Sequence, residues 1–226
     1  MVTAIIVAAG KSERMGAAMD KAFLNLGPRP VIAWSLLAFQ KCDEIDQIVL
    51  VVRKDQLLAA QAVGKMFGIS KLAKIVAGGN KRQDSVLAGM KAADPDTRFF
   101  AVHDGARPCI DPAVISDVVK MGKRAGAAVV GRRIWDTVKY VEKGTTISRT
   151  EDRSKLWAVQ TPQVISASLL RKAYKAVAEE GIEVTDEAQA VEKLGEQVRI
   201  FETNAVNVKI TTVDDLQLAS SVLGIK

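Results

Sequence analysis

Histidine is nearly absent from this chain of 226 residues, which holds only His103, and cysteine is represented by Cys42 and Cys109 alone. That scarcity argues against a zinc site and against a histidine-based nucleophilic triad. The two cysteines are far apart, without metal-ligand spacing, and read as free buried thiols of a reducing cytoplasm. Aromatic residues make up 5%, too few to supply the stacking platforms of a single-strand binder, and no nucleic-acid motif is visible. No apolar run approaches the length that spans a bilayer, and no basic segment precedes a long apolar one at the start. The expectation is therefore a cytoplasmic protein with no membrane and no nucleic-acid partner.

What is present is ordinary globular composition, 48% hydrophobic and 26% charged, with a net charge of +6. The positive charges are spread along the chain, and small anionic substrates account for the excess as well as chance does.

The organising stretch is Val2 to Lys21. An apolar run, Ala4 to Ala9, has the character of a strand buried on both faces. It passes into a small, polar, basic loop, Gly10, Lys11, Ser12, Glu13, Arg14, Met15 and Gly16. Gly10 lets backbone approach a ligand closely, and successive N–H groups in such a loop form an anion-binding concavity. Two familiar phosphate loops are excluded. A Walker A loop needs glycine where Ile5 stands, and the dinucleotide fingerprint needs glycine where Ser12 stands. An ordinary strand-to-helix loop with solvated basic residues fits this spacing equally well.

Further along, helical spacing over Val31 to Gln40, Gln56 to Phe67, Asp84 to Ala93 and Pro112 to Arg124 alternates with strand-like runs. Those runs are Ile45 to Val52, Ala73 to Ala77, Phe99 to Val102 and Ala127 to Val130. The alternation predicts βαβ units and a mainly parallel sheet. With no composition break and no repeat, one α/β domain over 1–226 is expected. Thr137 to Asp152 breaks the rhythm, with β-formers on either side of Lys143-Gly144. It reads as a polar hairpin, either a solvated surface element or an arm that pairs with another subunit.

Ligands of open parallel sheets bind at the carboxyl ends of the strands. Two loops at such ends hold reactive residue types: Gly78 to Ser85, and His103 to Pro108. Asp104, just past a strand, is placed to meet a magnesium ion bridging phosphates, although a turn or cap role fits it as well. His103 reads as structural. Asp186 with Gln189, and Thr212 with Asp215, have capping-box spacing, and Gly224 closes the last helix.

Taken together, AAGKSERMG with Lys21, GGNKRQDSVLAG, VHDGARP, DTVK, EDRSKLWAVQTPQ, VTDEAQAVE and NAVNVKIT with Asp214-Asp215-Leu216 resemble the 2-C-methyl-D-erythritol 4-phosphate cytidylyltransferase family. The first loop is shared widely among sugar-phosphate nucleotidyltransferases, whereas the TPQ, TDE and NVKIT segments are more specific. The resemblance implies a Rossmann-like nucleotidyltransferase domain with a protruding β-arm at about 137–153. It also implies transfer of CMP from CTP to methylerythritol phosphate with magnesium as cofactor.

By resemblance, Ala8, Ala9, Gly10, Gly79, Asn80 and Ser85 bind the nucleotide, and Arg14 and Lys21 stabilise the transition state. Asp104 lies near the magnesium and the reacting phosphates, with Arg107 beside it. Thr137, Arg153, Thr185 and Lys209 hold the second substrate, Arg153 and Lys209 aiming its phosphate. The arm would exchange across a homodimer, so that Thr137 and Arg153 serve the neighbouring site. Three positions depart from the family pattern: Ser12 for a glycine, Asp20 for a proline, and Asn80 for an acidic residue found in some members. A cytidylyltransferase for another polyol phosphate, such as ribitol 5-phosphate, and a non-catalytic nucleotide binder on the same fold are the alternatives.

Overall fold

The computed structural model of the chain describes residues 1–10 and 21–225. Among these, seven strands form one sheet in the order β11-β7-β10-β6-β1-β4-β5. In chain order they are β1 (Val2–Ala8), β4 (Gln47–Val52), β5 (Leu72–Ala77), β6 (Phe99–Asp104), β7 (Ala127–Arg133), β10 (Trp157–Ser166) and β11 (Arg199–Glu202). Two short ribbons stand apart, β2 (Asn25–Leu26) with β3 (Arg29–Pro30), and β8 (Lys139–Tyr140) with β9 (Arg149–Thr150). The helices are α1 (Val31–Lys41), α2 (Leu57–Met66), α3 (Arg82–Ala92), α4 (Pro112–Ala125), α5 (Ala167–Glu179), α6 (Glu187–Glu192) and α7 (Val213–Val222).

Alternation along the central strands builds two cores. Val2, Ala4, Ile6 and Ala8 of β1 turn toward α1, α2 and α4, where Ile32, Leu36, Phe39, Val63, Ile115 and Val118 are buried with them. Ile5, with Val49, Val51, Phe100 and Val102, faces the other way, onto Val86 and Met90 of α3 and Leu170 and Ala173 of α5. Burying a side chain of the size of Ile32, Leu36 or Phe39 contributes about 1.5–3 kcal/mol. Strands covered on both faces read as nearly continuous apolar runs, and in β1 and β4 only Thr3 and Gln47 depart from that.

The chain winds outward from β1 through β4 to β5, then crosses back to place β6 on the other side of β1. The carboxyl ends of β1 and β6 therefore form the point where winding reverses, and a crevice opens there in such sheets. All neighbours pair in parallel except β10, which is antiparallel to both β6 and β7.

Several expected boundaries shift. His103 and Asp104 are the last two residues of β6, not the loop behind it, and α3 begins at Arg82. β10, α5 and β11 carry no counterpart in the sequence reading. Pro162 hides β10, because proline withdraws a donor from the ladder. It sits where the register against β7 shifts between Val159 and Gln163, after a cis peptide bond from Thr161. The hairpin forms, but only Lys139–Thr150 and Tyr140–Arg149 pair. Residues 141–148 link them, with Gly144 at φ 65.

The last helix opens on the expected capping box. Oδ2 of Asp215 accepts from the Thr211 hydroxyl and amide (2.6 and 2.7 Å) and from the Thr212 amide and hydroxyl (2.8 and 3.1 Å). Led by the Thr211 hydroxyl, these donors draw the carboxyl from its ordinary 3.8 down to about 2. A carboxyl lowered on folding adds stability above its unfolded value and loses it as pH falls through the folded one. Asp215→Asn should lower the melting temperature by about 2–4 °C at pH 7. That gap should close between pH 4 and 2; an equal gap at both ends of the range would contradict the account.

Candidate functional site

Carboxyl-end residues of β1 and β6 and the start of α3 enclose a cleft of about 150 Å³. Ala8, Ala9 and Gly10 form one wall, and Gly79, Asn80 and Ser85 form another. Lys21, Asp104 and Lys209 complete it together with Lys81 and Arg82. Nine of the residues singled out from sequence thus meet in one place. Arg14 lies outside the described residues, as do Lys11, Ser12 and Asp20.

The two glycine-containing loops are built against each other. Ser85 is buried, donates its hydroxyl to the Lys81 carbonyl (3.2 Å) and accepts from the Gly79 amide (3.2 Å). A Cβ on Gly78 would stand 2.4 Å from Ala9 Cβ and 2.6 Å from Ser85 Oγ. Only glycine lets the second loop close on the first.

Asp104 is the single carboxylate lining the cleft among the described residues. Its Oδ2 accepts from Lys209 Nζ at 2.7 Å and its Oδ1 from Arg82 Nε at 3.1 Å; Arg107 Nε stands 3.8 Å from Oδ2. Burial opposes its ionisation and is the largest single influence. The charges of Arg82, Lys209 and Arg107 outweigh it, so the carboxyl is held far below the usual carboxylate range. Arg82 spends the rest of its guanidinium on Glu187, which is wholly buried, with bonds of 2.6 and 3.0 Å. Glu187 also accepts from the Tyr174 hydroxyl at 3.1 Å. Burial and then the neighbouring Glu187 keep that phenol protonated.

Behind Asp104 lies His103, fully buried against Phe39 with ring centroids 4.9 Å apart. Its Nε2 is 3.3 Å from the Arg107 carbonyl, and its Nδ1 is 3.0 Å from Thr161 Oγ1. A carbonyl only accepts, so Nε2 carries the proton and the Thr161 hydroxyl donates to Nδ1. The same Oγ1 then accepts from the Asp104 amide at 3.1 Å. Burial pushes the imidazole down to about 3, which agrees with the structural role expected for it.

Lys209 rides on the segment between β11 and α7, fastened along its length. Asn207 donates to the Thr161 carbonyl (2.8 Å), its own carbonyl accepts from Arg107 (2.8 Å), and the Ile210 amide donates to the Ala106 carbonyl (2.8 Å). The Asp215 cap closes the far end.

The remaining expected residues do not line the cleft. Arg107 is packed behind Asp104. Thr185 is exposed just before α6, its amide and hydroxyl donating to Gln189 Oε1 at 2.7 and 3.1 Å. Asp186 caps the Gln189 amide at 2.9 Å, so half of the expected box forms and the glutamine reaches one residue further back. Gln163 of β10 ties this turn to the sheet through Asp186 Oδ2 (3.0 Å) and the Ala188 amide (2.9 Å). Thr137 and Arg153 are exposed on the arm, where Arg153 donates to the Trp135 carbonyl.

No group of three or more His, Cys, Asp or Glu able to cage a metal occurs among the described residues. Likewise, none of their helices is long and apolar enough to cross a membrane. A larger groove of about 700 Å³ runs along α2 and β5, lined by residues such as Leu58, Gly64 and Leu72; it holds no carboxylate and none of the residues singled out above.

Known proteins share both the sequence and the fold of this chain. The sequence model of IspD, 2-C-methyl-D-erythritol 4-phosphate cytidylyltransferase, matches residues 2–224. The chain belongs to this family. A 2-C-methyl-D-erythritol 4-phosphate cytidylyltransferase of Dehalococcoides mccartyi is 44% identical over 222 residues, 98% of this chain and 96% of that one. One from Clostridium novyi is 38% identical over 97% of this chain and 95% of that one. Among solved structures, 4-diphosphocytidyl-2C-methyl-D-erythritol synthase of Anaerococcus prevotii superposes with a TM-score of 0.86 at 27% identity, covering 99% and 98% of the two chains. The 2-C-methyl-D-erythritol 4-phosphate cytidylyltransferase of Thermus thermophilus gives 0.78 at 30%, covering 98% of each. The chain is thus a cytidylyltransferase of isoprenoid biosynthesis.

Sequence reasoning missed Arg82, Glu187, Thr161 and Asn207, all inside motifs it had already marked. One signal was available: a cation on the first turn of a helix opposes the helix dipole, so Arg82 needed a counterion. Nothing in the sequence shows that Glu187 is buried.

Because the chain has one histidine, its ring is open to direct test. Long-range proton–nitrogen NMR should show the neutral Nε2–H form from pH 8 to 5. A midpoint near 6.5 would contradict the burial described. On unfolding the ring takes up a proton below about 6.5, so its contribution to stability falls as pH drops from 6.5 toward 3.

Proposed function

We propose that this cleft carries out the family's reaction, with CTP over Ala8–Gly10 and the methylerythritol phosphate brought to its α-phosphorus by Lys209. The observation that carries this reading is the meeting of Ala8–Gly10, Gly79–Ser85, Lys21, Asp104 and Lys209 at the reversal point of the sheet. Gly79, Asn80 and Ser85 would recognise ribose and cytosine, and Arg14 and Lys21 would stabilise the triphosphate in the transition state. Arg107 and Thr185 would support the second substrate.

A phosphate monoester is already an anionic nucleophile near neutral pH. The reaction needs no strong base, and the described residues of the cleft offer none: Asp104 is bound by cations and His103 is buried and neutral. The barrier is set instead by repulsion between two anions and by the in-line geometry of attack. Cations fixed on both reactants lower it by positioning and by stabilising charge in the transition state.

Asp104 is the residue that would hold a magnesium ion. A carboxylate has about four lone-pair sites, and Oδ1 carries a single donor, leaving room for one bond to an ion otherwise held by phosphates and water. The ion would neutralise charge on the departing pyrophosphate.

The whole of 1–226 is read as one cytidylyltransferase domain with the arm inserted in it, acting in the cytoplasm, where unpaired thiols such as Cys42 and Cys109 persist. The arm and the residues just before it expose Trp135 (75%) and Ile147 (58%), an apolar display that suits pairing with a second copy better than solvation. In that homodimer Thr137 and Arg153 would reach the partner's cleft.

Lys21→Ala and Lys209→Ala should each lower kcat by at least about a hundredfold in magnesium-dependent pyrophosphate release from CTP. Near-normal rates in folded protein would overturn the roles given to them. Release with methylerythritol phosphate and not with ribitol 5-phosphate is the expected acceptor preference, and the reverse would move the substrate to the other polyol. For the shared site, inactive Lys21→Ala and Arg153→Ala chains, mixed and allowed to exchange, should regain about a quarter of the parent activity. No recovery, with exchange demonstrated, would place each site within one subunit.

A further inference from the structure

Three cations surround Asp104, and they are not equivalent. Lys209 has a side chain 39% exposed and a single hydrogen bond to the carboxylate. Arg107 is mostly buried and held from behind by the Asn207 carbonyl. Arg82 is fixed by its fork to a carboxylate with no exposure at all. Of these three cations, Lys209 is the one able to turn to an incoming phosphate. When Lys209 turns to it, Asp104 loses its shortest bond and a full unit of compensating charge.

We propose that Glu187 and Arg82 form a buried positioning pair that keeps the Asp104 carboxylate fixed and charge-compensated while Lys209 exchanges it for the substrate phosphate. The inference rests on the placement of Asp104 and Lys209 at the reacting groups given above. Glu187 takes both terminal nitrogens of Arg82 and leaves only Nε, at 3.1 Å, for Asp104. Arg82 can then neither follow the phosphate into the cleft nor clamp Asp104 with its fork. Tyr174, donating to Oε1 from the α5 side, fixes Glu187 in turn.

Stability alone does not account for such a pair. Burying two charges costs about as much as their attraction returns, and apolar replacements of buried pairs are often neutral or stabilising. The position of the pair does account for it. Glu187 opens α6, directly behind the turn that Gln163 ties to the sheet, so the geometry of Asp104 is referred to three packed elements.

The test separates position from stability. Arg82→Met leaves Glu187 buried and unpaired, and the melting temperature should fall by roughly 10 °C. Adding Glu187→Gln removes that charge, still accepts from Tyr174, and should recover more than half of the loss. kcat in pyrophosphate release should nevertheless stay at least about tenfold below the parent in both variants, with the KM for CTP within about twofold. Recovery of kcat together with the melting temperature would reduce the pair to a structural role and overturn the proposal. Should the double variant fail to fold, Arg82→Lys serves. Its ammonium can pair with Glu187 but lacks the rigid fork that reaches Asp104 at the same time, so kcat should fall by the same factor at a melting temperature within a few degrees of the parent. Parent-like kcat in Arg82→Lys would overturn the proposal too. Asp104→Asn distinguishes the failures. If it leaves kcat unchanged, the placement of Asp104 is wrong and this inference falls with it. If it is impaired while the double variant is not, the inference alone fails.

Discussion

A carboxylate that must stay charged while almost out of water fixes the design of this protein. Asp104 is 8% exposed, and an isolated ionised carboxylate in that position would be too costly to keep. Its compensation is drawn from separate parts of the chain: Arg82 from the start of α3, Arg107 from the turn that follows β6, and Lys209 from the segment ahead of α7. Thr161 of β10 holds its amide. The fold can be understood as the means of delivering these groups to one point. The reversal of winding places β1 beside β6, the antiparallel β10 brings Thr161 behind Asp104, and the C-terminal strap crosses back to supply the lysine.

That arrangement also limits the chemistry. The cleft collects positive charge and offers no poised nucleophile or base among its described residues, since its one carboxylate is bound by cations and the one imidazole of the chain is buried and neutral. Such a site works by holding two anions against their repulsion, which is what phosphate attack on a nucleoside triphosphate demands.

Much of this was legible in the sequence, and the misses have physical causes. Buried parallel strands are apolar along most of their length and their loops hold glycine and charge, so β1, β4, the apolar part of β6 and the two phosphate-type loops could be marked directly. β10 could not, because Pro162 contradicts a central strand unless the register slips beside it. His103 and Asp104 read as loop residues because a polar pair ends an apolar run. They remain in the strand because Thr161 and the surrounding cations satisfy them there. Lys209 and Asp104 emerged as separate motif residues, and their 2.7 Å contact spans a sequence separation that no local pattern encodes. The capping spacing of Asp186 with Gln189 draws attention to the neighbouring residues, while Glu187 between them is the buried counterion of Arg82.

The central claim is that the protein positions two anions and contributes no covalent partner. Stereochemistry at the α-phosphorus tests it directly, with a CTP analogue carrying one sulfur of defined configuration at that centre. A single in-line attack by the acceptor phosphate inverts the centre, and inversion is the predicted result. Retention would require two displacements through a nucleotidylated side chain, and would contradict the account.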